Sequence, residues 1–120
     1  MTRIRIALVA AAAAALVLAI PVAAKSPTKL VGTVGPGFTI SLKTMAGAKV
    51  KTLPAGLYMF VVTDKASIHN FHLSGSGVNK EITGVGFTGT KSVTLTLKKG
   101  KYTFVCDPHS SSMNGAFTII

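Results

Sequence analysis

Cysteine and acidic residues are scarce in this sequence of 120 residues. Its one cysteine, Cys106, has no partner for an intramolecular disulfide, which excludes a fold held together by disulfides. The three acids do not balance 13 lysines and arginines, and the formal net charge is +10. Both arginines lie within the first five residues, so the rest of the chain lacks the bidentate base contacts that arginine makes in nucleic-acid recognition. We therefore expect no nucleic-acid partner; the basic charge attracts acidic proteins or anionic surfaces, or serves solubility alone.

The sequence also lacks an apolar run long enough for a typical membrane-spanning helix. The longest run covers residues 6–20, which is short of the 18 or so that a spanning helix needs, and it ends at Pro21. It follows two arginines and precedes the small residues 22–24, as in a secretory signal peptide, the alternative being an uncleaved anchor. We expect a signal peptide at 1–24 and a mature domain at 25–120 with no transmembrane anchor, exported to the periplasm or the exterior of a bacterial cell.

The mature chain shows no sustained helical period. In the segment GFTISLK, apolar Phe38, Ile40 and Leu42 alternate with polar residues, and SVTLTLKKGKYTFVC repeats this pattern around a Lys-Lys-Gly turn. Alternation with a period of two is typical of half-buried β-strands. Residues 74–90 are the least regular and predict a loop with one or two short edge strands. Together these patterns predict an all-β, Greek-key antiparallel β-sandwich of seven to eight strands.

The segment CDPHSSSMNG brings a thiol, an imidazole and a thioether together at Cys106, His109 and Met113. On a strand that ends at Cys106, this cysteine shares a face with Phe104, so we expect the thiol on the inner face. A lone thiol in an oxidising compartment is a liability unless it is buried, paired between chains or bound to a ligand. Thiolate, imidazole and thioether form a soft ligand set that suits copper.

A second nitrogen ligand is available from the segment SIHNFHLSG. His69 and His72 differ in parity along an extended strand, so only one of them should face inward. Phe71 and Leu73 share the parity of His69, which favours His69, although a β-bulge would reverse this assignment and make His72 the ligand. Two histidines, one cysteine and a long axial methionine are the ligand set of blue-copper electron-transfer sites.

Two other interpretations of these residues fit less well. Structural zinc prefers more thiolates or histidines, and a thioether is a poor zinc ligand. A nucleophilic Cys-His enzyme would need an activated thiol, but Cys106 precedes a proline and has no helix N-terminus beside it. A catalytic interpretation also leaves His69 and Met113 without a role. We therefore expect a protein that is not an enzyme.

The segments IHNFHLSG and YTFVCDPHSSSMNGAFTI resemble the cupredoxins, the small blue copper proteins of the plastocyanin, pseudoazurin and amicyanin group. The resemblance covers about residues 29–120. It implies one type 1 copper ion with the ligands His69, Cys106, His109 and Met113. It also implies that Asn70 ties the two ligand-bearing loops together by hydrogen bonds.

Two features depart from the family pattern. Three residues separate His109 from Met113, a gap between those of amicyanins and plastocyanins, which leaves the axial geometry open. Asp107 follows the cysteine where the family often has serine or threonine, and a carboxylate there would increase electron density near the copper or compete for it.

The resemblance implies a monomer that carries single electrons between redox partners through Cu(II) and Cu(I), with His109 as the route to solvent. Its partners would be redox proteins such as a cytochrome or an oxidase, docked through an acidic face. Two alternatives stay open: a copper carrier or buffer that delivers the metal itself, and a sandwich that has lost its metal.

Overall fold

A computed structural model of the protein describes residues 25–120, and the predicted signal peptide at 1–24 lies outside the described residues. Within residues 25–120 there are nine β-strands: β1 (Thr28–Val34), β2 (Ile40–Thr44), β3 (Thr52–Leu53), β4 (Gly56–Asp64), β5 (Phe71–Gly75), β6 (Val78–Thr83), β7 (Gly89–Leu97), β8 (Gly100–Val105) and β9 (Asn114–Ile119). A short 3-10 turn at Asp107–His109 follows β8. No helix in this part of the chain has the length and apolar character to cross a membrane.

The strands form two sheets, one with the order β2-β1-β4-β7 and one with the order β3-β9-β8-β5-β6. The all-β sandwich is confirmed, but the sheets are mixed and not purely antiparallel, and the described residues form nine strands where seven to eight were expected. β1 pairs with β4 in parallel, and so does β3 with β9. The reason is that the chain leaves the first sheet after β2, contributes β3 to the second sheet, and returns alongside β1 in the same direction. Alternation of side chains does not distinguish parallel from antiparallel neighbours.

The core lies between the two sheets and is built from alternate residues of each strand. On β4 the buried residues are Tyr58, Phe60 and Val62, in line with the alternation of the sequence. On the facing sheet, the Phe71 and Phe104 rings stack with their centroids 5.5 Å apart. Burial of each such side chain contributes roughly 1.5–3 kcal/mol to folding. Aromatic packing therefore fixes the ends of β5 and β8 that lie next to the candidate ligands His69 and Cys106.

The irregular segment 74–90 contains β6, an edge strand, and the start of β7, as the sequence predicts. Two other boundaries differ from the strand patterns in the sequence. β5 begins only at Phe71, so His69 and Asn70 lie on the turn before it. β2 begins at Ile40, which leaves Phe38 in a loop with 61% of its surface exposed. The Gly-Pro-Gly sequence before Phe38 explains the second difference, because Gly35 adopts a φ of 72° and the chain turns there.

Candidate metal centre

Two segments bring the candidate ligands to one end of the sandwich. His69 comes from the turn before β5, while Cys106, His109 and Met113 come from the loop that joins β8 to β9. This loop is closed at its base by the N–H of Cys106, which donates to the Met113 carbonyl at 3.0 Å. Within the loop, the N–H groups of His109 and Met113 donate to the carbonyls of Cys106 and His109 at 3.1 and 2.9 Å. The backbone alone therefore gives the loop a defined shape.

The side-chain donors of His69, Cys106 and His109 form a compact triangle. The Nδ1 atoms of the two histidines are 3.2 Å apart, and the Cys106 Sγ lies 3.6 Å from Nδ1 of His69 and 3.5 Å from Nδ1 of His109. His69 and Cys106 are fully buried, and His109 is half-buried. These residues are the one group of three or more histidine, cysteine or acidic side chains in residues 25–120 whose donor atoms all lie within 4.8 Å of one another.

The dimensions of this triangle fit a trigonal metal ion. An ion about 2.0–2.1 Å from two imidazole nitrogens and about 2.3 Å from a thiolate, as for zinc, separates the nitrogens by about 3.5 Å and each nitrogen from the sulfur by about 3.8 Å. The three observed edges agree with these values to within about 0.4 Å. One thiolate and two neutral imidazoles, with a fully buried Met113 on the same loop, are a donor set that favours copper.

His72 lies outside this triangle and faces outward from the sheet. Its Nδ1 is 2.9 Å from Oδ2 of Asp107, and its Nε2 contacts Oδ1 of Asn79. An imidazole donates from both nitrogens only when it is protonated, so this environment favours the imidazolium ion. The hydrogen bond to Asn79 raises the pKa of His72 above its ordinary value, and Asp107 adds to this effect, while partial burial opposes it. A register shift between Phe71 and His72 is present in the β5–β6 pairing, but it leaves His72 on the outer face.

Asn70 joins the two ligand-bearing segments. Its side chain is buried, its Oδ1 accepts the main-chain N–H of Asp107 at 2.7 Å, and its Nδ2 donates to Oδ2 of Asp107 at 2.7 Å. The same Nδ2 donates to Oε2 of Glu81 at 2.9 Å. Partial burial acts to raise the pKa of Asp107, but the hydrogen bonds from Asn70 and His72 hold it below its usual range. The carboxylate of Asp107 is thus engaged by Asn70 and His72, away from the donor triangle.

Phe38 is a part of this centre that the strand pattern did not predict. Its ring makes edge-to-face contacts with His69 and His109, with centroid separations of 5.6 and 4.9 Å. The Gly-Pro-Gly sequence before it was the available signal that the segment is a loop and not a continuous strand. The exposed ring therefore covers the two histidines from the solvent side.

A β-sandwich that carries a His-Cys-His centre at one end is the architecture of a small copper protein, and comparisons with known proteins support this class. A family model described as copper binding proteins of the plastocyanin/azurin family matches residues 39–120. The chain belongs to this family, and copper is its cofactor.

Several solved structures share the fold. Rusticyanin from Thiobacillus ferrooxidans has 22% sequence identity and a TM-score of 0.53, over 81% of this chain and 79% of that chain. A structure of reduced rusticyanin has 20% identity and a TM-score of 0.58, over 81% of each chain. Auracyanin A, a "blue" copper protein from Chloroflexus aurantiacus, has 17% identity and a TM-score of 0.57, over 79% of this chain and all of that one. A comparison with curated protein sequences found no match.

Proposed function

We propose that this protein carries single electrons between redox partners by means of one type 1 copper ion and is not an enzyme. The convergence of the donor atoms of His69, Cys106 and His109 on one trigonal site carries this proposal. In it, Cys106 is the thiolate ligand, His69 and His109 are the equatorial nitrogen ligands, and Met113 is the weak axial ligand. The alternative nitrogen ligand His72 is disfavoured because both of its ring nitrogens already contact Asp107 and Asn79.

The bound copper would supply a couple, Cu(II)/Cu(I), that accepts and returns one electron. The chain's own contribution is to keep the donors in one arrangement through both states. Cys106 and His69 are fully buried on a well-packed core, and hydrogen bonds across the base of the loop fix its backbone. Packing of this kind resists rearrangement, so little energy is needed to reorganise the site when the charge changes. His109 is half-buried beneath Phe38, whereas His69 and Cys106 are fully buried, so His109 would carry the electron between the site and a docked protein.

The setting of this activity is also part of the proposal. The N-terminal pattern at 1–24 supports export to the periplasm or the cell exterior, with the domain at 25–120 acting there as a monomer. The excess of 11 lysines over three acidic residues in 25–120 favours redox proteins, such as a cytochrome or an oxidase, that present an acidic docking face.

The test uses the full sequence expressed in a bacterium and purified from the periplasm. Addition of Cu(II) should produce an intense blue or green thiolate charge-transfer band that Cys106→Ser abolishes, whereas Cys106→Ser should leave the fold intact by circular dichroism. A colourless protein that binds zinc as tightly as copper would contradict the copper site.

The thiolate band alone does not distinguish an electron carrier from a copper carrier. For an electron carrier, stopped-flow mixing with a cytochrome should show oxidation and reduction much faster than transfer of copper to a chelator; the reverse order would identify a copper carrier.

A further inference from the structure

Asp107, which follows the candidate ligand Cys106 directly, is restrained from two sides. Its Oδ2 accepts hydrogen bonds from Asn70 at 2.7 Å and from His72 at 2.9 Å. Its main-chain N–H is bound by the Asn70 Oδ1 at 2.7 Å. The restraints therefore act on the first residue of the loop after the thiolate.

The hydrogen-bond network formed by Asp107, Asn70 and His72 ends on the edge strand β6. Asn79 contacts His72, and Glu81 accepts a hydrogen bond from Asn70 at 2.9 Å. Asn79 and Glu81 are two positions apart on β6 and therefore share a face of the sheet. His72 pairs directly with Glu81, so all three residues lie on the same outer face. The chain has only three acidic residues, and two of them, Glu81 and Asp107, meet on the amide of Asn70. Acidic residues that serve only solubility would be free on the surface, whereas Glu81 and Asp107 are both bonded to one buried side chain.

We infer that His72 is a positioning residue for the copper centre. His72 holds the Cys106 end of the ligand loop through the carboxylate of Asp107, and β6 supports His72 from the outer side. The inference rests on the proposed copper site. It goes beyond the tie that the family resemblance implies, in which the asparagine joins the two loops. Here a histidine and an aspartate add a second restraint, and the histidine contributes to the site without binding the metal.

The expected size of the effect follows from the behaviour of groups that orient metal ligands. Their replacement typically costs about 10–100-fold in metal affinity or activity. Because His72 acts through one intermediate residue and Asn70 remains in place, we expect the lower end of this range, roughly tenfold. His72→Ala should therefore weaken copper binding by about that factor and shift the thiolate band, without abolishing it.

The variants for the test are His72→Ala, His72→Gln and Asp107→Ala in the full chain, with Ser74→Ala as the matched control. Ser74 lies on the same outer face of β5 two residues after His72 and bonds to Thr103 at 3.0 Å, so it controls for general loosening of the β5–β8 pair. Copper affinity is measured by competition with a chelator, along with the thiolate band and the reduction potential. His72→Gln, which keeps a donor for Asp107, should retain more affinity than His72→Ala, and His72→Ala should add nothing in the Asp107→Ala background.

The inference is wrong if His72→Ala matches Ser74→Ala in affinity and spectrum, or if the losses from His72→Ala and Asp107→Ala add fully. A readout on the metal-free protein separates this failure from failure of the proposed function. Hydrogen exchange at the Asp107 N–H, followed by NMR, should be faster in His72→Ala than in Ser74→Ala. Unchanged exchange at the Asp107 N–H overturns the positioning role of His72 even if copper binds. A wild-type protein without a thiolate band overturns the proposed function, and the exchange result then still decides the role of His72.

Discussion

The Nδ1 atoms of His69 and His109 lie 3.2 Å apart, although 40 positions separate the two residues in the sequence. Two neutral imidazoles that point lone pairs at each other repel at this distance, unless a proton or a metal ion lies between them. His69 is fully buried, and its Nε2 has no hydrogen-bond partner among residues 25–120. A buried polar atom without a partner costs folding free energy, so this position of the His69 ring lowers the stability of the fold. Such a cost is typical of residues retained for function.

Removal of the His69 ring should therefore abolish the thiolate band, whereas His72→Ala should shift the band without abolishing it. His69→Ala deletes one of three donors of the trigonal site, and His72 does not belong to the donor group found within residues 25–120. The measurement is the visible spectrum of each variant titrated with Cu(II). A band that survives His69→Ala and disappears in His72→Ala would show that the ligand assignment is the wrong way round.

Gly35, in the loop beside His69, leaves room for the His69 ring because it has no Cβ atom. A Cβ atom at Gly35 would lie 3.1 Å from Cδ2 of His69, and the residue has a φ of +72°. Gly35→Ala should lower the free energy of unfolding by roughly 1–3 kcal/mol through backbone strain and should also alter the thiolate band. Gly47→Ala is the control, because Gly47 has a φ of +85° but open space around its Cβ position. Denaturation and visible spectra should show a stability loss in both variants and a spectral change only in Gly35→Ala; equal spectra would mean that the ring has room to adjust.

Much of the fold follows from the alternation of apolar and polar residues. This pattern predicted most of the strands, the inward direction of Cys106 and the sandwich, because each depends on local periodicity and on the burial of one face. The proximity of Cys106, His109 and Met113 in sequence likewise pointed to the loop between β8 and β9. In contrast, the parallel pairing of β1 with β4 depends on the path of the chain between sheets, which periodicity does not encode.

The route by which His69 reaches the centre also differs from the parity argument. Parity applies only if the extended strand reaches back to residue 69, but β5 begins at Phe71. His69 lies on a turn in which its N–H donates to the carbonyl of Ala66 at 3.4 Å. The contacts of Glu81 and Asn79 with the network were not predictable either, because they depend on which edge strand lies next to β5. Side-chain partners across non-local strands are set by tertiary packing and not by sequence spacing.

Phe38 should protect the copper centre from competing ligands. Its ring packs edge-to-face on His69 and His109 while remaining 61% exposed. Such aromatic contacts are worth about 0.5–1.5 kcal/mol each beyond their buried area. Phe38→Ala should therefore speed the transfer of copper to a chelator several-fold, by this estimate of the lost contacts. Met45→Ala removes a similarly exposed apolar side chain outside these ring contacts and should leave the rate unchanged. Equal rates in the two variants would mean that Phe38 does not shield the site.

The ion pair between His72 and Asp107 should make stability depend on pH in a defined window. The pKa of His72 is raised from its ordinary value of 6.5, chiefly by the hydrogen bond to Asn79, with Asp107 and Glu81 adding to it. Its contribution to stability is therefore complete below pH 6.5 and is lost as the pH rises through the raised pKa. The pKa of Asp107 is lowered from 3.8, so its contribution is present above that pH and is lost as the pH falls through the lowered value.

The difference in free energy of unfolding between wild type and His72→Gln should therefore be largest near about pH 5 and shrink towards about pH 9. Because both groups are partly exposed, we expect it to stay below about 1 kcal/mol. Denaturant titrations of the metal-free proteins at several pH values measure it. In the Asp107→Asn background the pH dependence should become smaller, since the charge that faces His72 is gone. A difference that grows with rising pH would show that His72 is held as the neutral imidazole, and the pair would then not be an ion pair.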